Sequence, residues 1–101
     1  MVVTNGFEEV ETVGTYGILR RGGLDVDVYS LRGTQATGRF GLTCNALKDF
    51  AHFSDDNYAA IILPGGPQYK ELENTPRVLQ LLQDFMHAEN PSAPSAPARR
   101  F

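Results

Sequence analysis

The stretch from Tyr58 to Leu63 reads YAAIIL, apolar at every position, and ends abruptly in Pro64-Gly65-Gly66. Such a strand has no polar face to turn to water, so it belongs inside a parallel sheet covered on both sides. That requirement restricts the chain to a layered α/β architecture. The sequence upstream agrees. Met1 to Thr4 reads as the end of a first strand, and Asn5-Gly6 as a turn. Glu8, Glu9 and Glu11 crowd the first turn of a predicted helix that runs to about Arg21 and stops at Gly22-Gly23. Its face of Val10, Val13, Gly14, Gly17 and Ile18 is expected to lie on the sheet. The two glycines cost about 1 kcal/mol each relative to alanine, and their expected use is close approach of the backbone. Leu24 to Leu31 alternates as a second strand, and Gly38 to Cys44 reads as a weaker third. A second helix follows the apolar strand, with Thr75 as cap, Pro76 at its first position and Val78, Leu79, Leu81, Leu82 and Phe85 as its stripe. The alternation predicts a doubly wound, mostly parallel sheet.

At 101 residues the chain has room for one small core. Nine basic residues against twelve acidic ones give a formal charge of −3, which argues against a nucleic-acid partner or an anionic membrane surface. No apolar run approaches the roughly 20 residues of a membrane helix, and the N-terminus lacks the pattern of a signal peptide. The single cysteine, Cys44, excludes an internal disulfide framework and a cysteine-based zinc cluster, and it suits a reducing, cytoplasmic compartment. The expectation is an acidic cytoplasmic domain with no cofactor and no metal.

In open α/β sheets ligands bind beyond the carboxyl ends of the strands. Glu11, after the first strand, and Gly65-Gly66, after the apolar strand, are both predicted on that edge. A carboxyl there can give or take a proton. Glycine lets backbone N–H groups approach a ligand oxygen, as an oxyanion hole requires. Plainer readings compete. A glutamate in the first turn of a helix partners the dipole, a Gly-Gly pair after a strand is a turn, and a lone cysteine is a small buried hydrophobe. The chain has no GxGxxG, P-loop or GxSxG pattern, so nothing favours flavin or nucleotide binding. These residues alone describe an α/β domain with its function open.

The string Gly6-Phe7-Glu8-Glu9-Val10-Glu11-Thr12, followed by Arg20-Arg21-Gly22-Gly23-Leu24 and the strand VDVYSL, resembles the start of the ThiJ/PfpI family. Ile61-Ile62-Leu63-Pro64-Gly65-Gly66 resembles the second signature of that family, in its order and at about its spacing. The resemblance covers residues 1–89. It implies a flavodoxin-like sandwich, commonly a homodimer, and glyoxalase- or deglycase-type enzymes that act without cofactor on small reactive aldehydes or their adducts. It further implies a nucleophilic cysteine on a tight turn in a sequence like AICAGP, with Glu11 shuttling protons to it and Gly65 and Gly66 lining the oxyanion hole. Cys44 falls near a secondary cysteine of some members, not at the nucleophile.

The nucleophile strand is expected just after the second helix, and the sequence there is PSAPSAPARRF. The family cysteine and the histidine that follows it are both missing, so the chain is expected to be inactive as it stands. A Pro/Ser/Ala segment buries little apolar surface, and residues 90–101 are expected to be disordered. Read one base early, residues 91–101 are compatible with PVGAICAGPTI at all eleven positions. The expectation is therefore a domain cut before the nucleophile turn, with a frameshifted tail. Loss of that strand would leave the edge of 58–63 open to association, as a homodimer or as a non-catalytic, chaperone-like partner of an intact relative.

Overall fold

The computed structural model describes residues 1–54 and 58–89. The segment expected to be disordered, 90–101, lies outside the described residues. In chain order the protein runs β1 (Val2–Val3), a π-helical turn (Val10–Gly14) continued by α1 (Thr15–Arg21), β2 (Tyr29–Ser30), β3 (Ala36–Thr37), β4 (Thr43–Cys44), β5 (Lys48–Asp49), a 3₁₀ turn (Phe50–His52), α2 (Tyr69–Glu73) and α3 (Pro76–Glu89).

The main sheet is parallel in the order β1-β2-β5, with Val2 opposite Tyr29 and Tyr29 opposite Lys48. The apolar stretch lies along the other side of β1, where the Val2 N–H donates to the Ile62 carbonyl at 3.1 Å. It pairs through this one backbone bond and is not a regular strand over its expected length. Lys48-Asp49 was not expected as a strand. A polar pair of this kind suits the rim of a sheet, where charge discourages further pairing. The expected third strand over Gly38–Cys44 is a hairpin instead. β3 and β4 run antiparallel, and Gly38 N–H reaches the Leu42 carbonyl at 2.8 Å across a turn that Gly41 makes at φ +98°.

Period-2 alternation sorts the side chains into two cores. Val2, Tyr29, Ile61 and Leu63 join Phe50, Leu72, Val78 and Leu81 beneath α2 and α3. Met1, Val3 and Ile62 join Phe7 and Ala36 on the other face, with Leu19 of α1 packed against them. Helices thus cover both faces of the sheet. None among the described residues is long and apolar enough to cross a membrane.

Two helix details differ from expectation. Thr75 does not cap α3 with its hydroxyl. Its Oγ1 donates back to the Glu71 carbonyl at 2.6 Å, while its carbonyl accepts from Val78 and Leu79. More consequentially, the apolar face of α1 points to solvent. Val10 is 78% and Ile18 70% exposed, and a Cβ on Gly14 or Gly17 would meet nothing within 4 Å. Those glycines serve no close approach to the sheet. Thr12 and Leu19 are the residues turned inward. Glu9 and Glu11, described next, reach distant backbone from the start of this helix, and that arrangement goes with its apolar face turned outward, against its hydrophobic periodicity.

Candidate functional site

β1 sits between β2 on one side and residues 61–63 on the other. The loop after β1 leads to α1 on one face, and the loop after 61–63 leads to α2 on the opposite face. Such a reversal of strand order opens a crevice at the carboxyl ends of the two strands. Residues 4–11 and 64–68 form its walls, and backbone bonds tie them together. Glu8 N–H donates to the Gly65 carbonyl at 3.0 Å, and Gln68 N–H to the Gly6 carbonyl at 3.1 Å. The Gln68 side chain, almost fully buried, completes the link. Its Oε1 accepts from Thr4 N–H at 2.9 Å and its Nε2 donates to the Pro64 carbonyl.

Into this frame come the three residues expected at the site. The Gly65 N–H donates to Glu11 Oε1 at 3.1 Å. A Cβ on Gly65 would sit 2.9 Å from that same oxygen, so glycine is what lets the carboxylate reach the backbone. Gly66 holds φ at +98°, and a Cβ there would lie 2.7 Å from the Gly6 carbonyl oxygen and 2.8 Å from the Glu8 nitrogen. Its carbonyl accepts from Tyr69 N–H at 3.0 Å. The Gly66 N–H has no acceptor among the described residues. The arrangement sets an exposed carboxylate one hydrogen bond from a loop whose next N–H is free to meet an oxygen atom.

Each of the crowded glutamates bonds a different backbone segment. Glu8 Oε1 accepts from Val10 N–H at 3.1 Å, in the role expected of a residue beside a helix start. Glu9, expected only as one of the acidic residues of the first helical turn, reaches the hairpin turn instead. Its Oε2 accepts from Phe40 N–H at 2.8 Å and Leu42 N–H at 3.3 Å, and Gly38 leaves the space it occupies. Burial opposes the charge on Glu9. The N–H groups of Phe40, Glu9 itself and Leu42, with the Arg39 guanidinium, outweigh that and hold the carboxyl below its ordinary range. Sequence reasoning missed both Glu9 and Gln68. The bonds that tie them to other segments span 31 residues from Glu9 to Phe40 and 64 from Gln68 to Thr4, beyond the reach of a local pattern.

Cys44 is half-buried in β4, opposite Ala36, and packs against the core of Val3 and Phe7. It lines a groove of about 400 Å³ with Val3, Phe7, Thr12, Tyr16 and Val28, whose walls include neither Glu11 nor the glycine pair. Burial, and then the charge of Glu9, push its thiol above the usual range. A thiol kept protonated is a poor nucleophile. Alkylation of Cys44 by iodoacetamide at pH 7 is therefore expected to run about tenfold slower than in the urea-unfolded chain. It should accelerate as pH rises past the ordinary thiol range. Equal rates in the two states would refute the burial argument.

Among the described residues no group of three or more His, Cys, Asp or Glu side chains is placed to hold a metal ion. A deglycase of Pyrococcus abyssi (strain GE5 / Orsay) is 28% identical over 87 residues, which are 86% of this chain and 52% of that protein. Oxidised Toxoplasma gondii DJ-1 superposes with a TM-score of 0.79 at 26% identity, over 86% of this chain and 48% of its own. Schizosaccharomyces pombe DJ-1 superposes with a TM-score of 0.81 at 20% identity, over 98% of this chain and 54% of its own. The last likeness concerns the fold, a doubly wound, flavodoxin-like α/β sheet. The chain spans about half the length of these relatives. The sequence model of the DJ-1/PfpI family matches residues 1–94, and the chain belongs to that family.

Proposed function

We propose that Glu11, Gly65 and Gly66 form the proton-handling and oxyanion-facing part of a site for small reactive aldehydes or their adducts, as in glyoxalase- and deglycase-type enzymes. The observation that carries this reading is the bond from Gly65 N–H to the Glu11 carboxylate. It holds an exposed acid–base group beside the unoccupied Gly66 N–H, at the carboxyl edge of a parallel sheet. The name of the Pyrococcus relative supports the same class of chemistry. Covalent turnover of an aldehyde in this way needs a thiolate near Glu11. The only thiol in the sequence is Cys44, which packs into the core of Val3 and Phe7 with its proton held and lines a groove that does not include Glu11. The 101 residues by themselves are thus assigned binding and proton handling without turnover.

The test has two readouts. Incubated with methylglyoxal, the chain is expected to form no lactate above a Glu11→Gln control, and excess lactate would overturn the assignment of no turnover. In the same titration the Gly66 amide resonance is expected to shift before any other backbone N–H. If it stays put while others move, the oxyanion role is wrong. A second reading, a non-catalytic partner of a family relative, draws on the outward apolar face of Val10 and Ile18. The mass of the species in solution separates the two.

A further inference from the structure

Asn5 is the only asparagine in the sequence that is followed by glycine. Without a side chain on the next residue, its peptide nitrogen is unhindered and can attack the asparagine carboxamide, closing a succinimide ring. The fold holds this glycine in place. Gly6 takes φ +91°, and a Cβ there would lie 3.1 Å from the Gln68 nitrogen. Asn5 itself is exposed, just after β1 and at the start of the loop that carries Glu8, Glu9 and Glu11.

Both reacting groups are held, and by the same residue. The Gly6 N–H donates to the Thr37 carbonyl at 2.8 Å, and Asn5 Oδ1 accepts from the Thr37 N–H at 3.0 Å. Thr37 belongs to β3, and the rest of the hairpin docks on the same loop. Arg39 N–H donates to the Phe7 carbonyl at 2.9 Å, and the Phe40 and Leu42 N–H groups reach Glu9. While these bonds stand, the Gly6 nitrogen keeps its proton on Thr37 and the carboxamide is turned to Thr37 as well. Release of the hairpin frees both at once. β3 and β4 form a two-stranded sheet of their own, so they can lift while β1 and β2 stay paired.

We propose that Asn5-Gly6 is a self-modification site, a deamidation gated by the β3–β4 hairpin. When the hairpin lifts, the Gly6 nitrogen gives its proton to water or hydroxide and bonds to Asn5 Cγ. The bond from Cγ to the side-chain nitrogen breaks, and ammonia leaves with a proton from solvent. Water then opens the succinimide at either carbonyl. One opening leaves aspartate at position 5, a further carboxylate on the loop of Glu8, Glu9 and Glu11. The other leaves isoaspartate, which routes the main chain through the side chain and adds a methylene between positions 5 and 6. Gly6 bonds Thr37 through its N–H and Gln68 through its carbonyl, and the longer link moves it off one or both. The isoaspartyl chain therefore keeps the hairpin undocked and loosens the wall of the crevice at Glu11 and Gly65.

The experiment incubates the full chain in mildly alkaline buffer, folded and in urea. The tryptic fragment from Met1 to Arg20 is then weighed and treated with isoaspartyl methyltransferase. Asn5 is expected to convert to the acid and isoacid about 100-fold more slowly in the folded chain than in urea. Asn45 and Asn74, followed by alanine and threonine, are expected to stay intact in the folded chain. Amide hydrogen exchange of the unmodified chain supplies the gate. Gly6 and Thr37 are expected to exchange together, and faster than Val2 and Tyr29 of the parallel sheet. Glu9→Ala, which takes two bonds from the hairpin turn, is expected to speed the folded-state conversion about tenfold with Val2 still protected. Equal conversion folded and in urea overturns the clamp, and no conversion in the folded chain overturns the site. Gly6 exchanging no faster than Val2 overturns the gating by the hairpin, whether or not the Glu9 variant folds. No aldehyde enters these measurements, so the proposed function stands or falls separately.

Discussion

Replacing Gly66 with alanine is expected to destabilise the fold by about 2–6 kcal/mol, enough to remove most of the stability of a small domain. Two costs add. Holding a non-glycine residue at φ +98° costs about 1–3 kcal/mol. The new Cβ would also lie 2.7 Å from the Gly6 oxygen and 2.8 Å from the Glu8 nitrogen. Both are backbone atoms, fixed by the bonds that join the two loops, so neither can swing away. Overpacking of that kind costs about 1–3 kcal/mol more. A small domain has a total stability near the lower end of about 5–15 kcal/mol, and the loss consumes most of it. Gly65→Ala is the control. Its Cβ meets the Glu11 carboxylate, the far end of an exposed flexible side chain, which can move. About 1 kcal/mol is expected there, with loss of the Gly65–Glu11 bond. Urea unfolding followed by circular dichroism measures both, and equal midpoints for the two variants would show that the loops are not interlocked at Gly66.

The second large effect is expected at Gln68. Leucine has nearly the same size and suits a buried position, so hydrophobicity alone predicts little change. The structure predicts a loss of about 2–4 kcal/mol. Gln68→Leu strands the Thr4 N–H and the Pro64 carbonyl in a buried setting where water cannot replace the lost partners. Gln68→Glu then gives a pH signature. A protonated carboxyl can donate to Pro64 and accept from Thr4, whereas the carboxylate can only accept. Burial and the required donor both raise its folded-state pKa above the unfolded value of about 4.3. The variant is thus most stable below that unfolded value and loses stability as pH rises through the raised folded one. A flat difference from the parent between pH 4 and 8 would refute the two-bond role of this side chain.

The layered α/β design was legible because its signals are local. An apolar run of six, an alternating stretch and a Gly-Gly stop each act through their own neighbours. The stop ends α1 as expected, while only Tyr29–Ser30 of the alternating stretch forms a strand and the apolar run pairs with β1 at Ile62. The same locality misled at α1. Val10, Val13 and Ile18 have helical spacing, and spacing alone turns them inward. The carboxylates of Glu9 and Glu11 instead bond the 38–42 turn and Gly65, long-range bonds that go with the helix rotated so that its apolar face is in water. Hydrophobic periodicity ranks faces by burial and carries no information about which long-range hydrogen bonds compete with it. The hairpin at 36–44 was hidden for a similar reason, since its turn depends on Glu9 from a distant loop.

By itself the sequence determined that an interior parallel strand had to end in a glycine turn, with a glutamate loop nearby on the same edge. Composition and period are enough for that, because an apolar strand has only one kind of environment that accepts it. The tertiary structure decided which glutamate meets which glycine. The Glu11–Gly65 bond spans 54 residues and the Gln68–Thr4 bond 64. Contacts that far apart form only once the parallel register places both loops at the same end of adjacent strands. The single cysteine shows the same division. Its number is a property of the sequence, but its place in the core beside Glu9, with its proton held, came from packing.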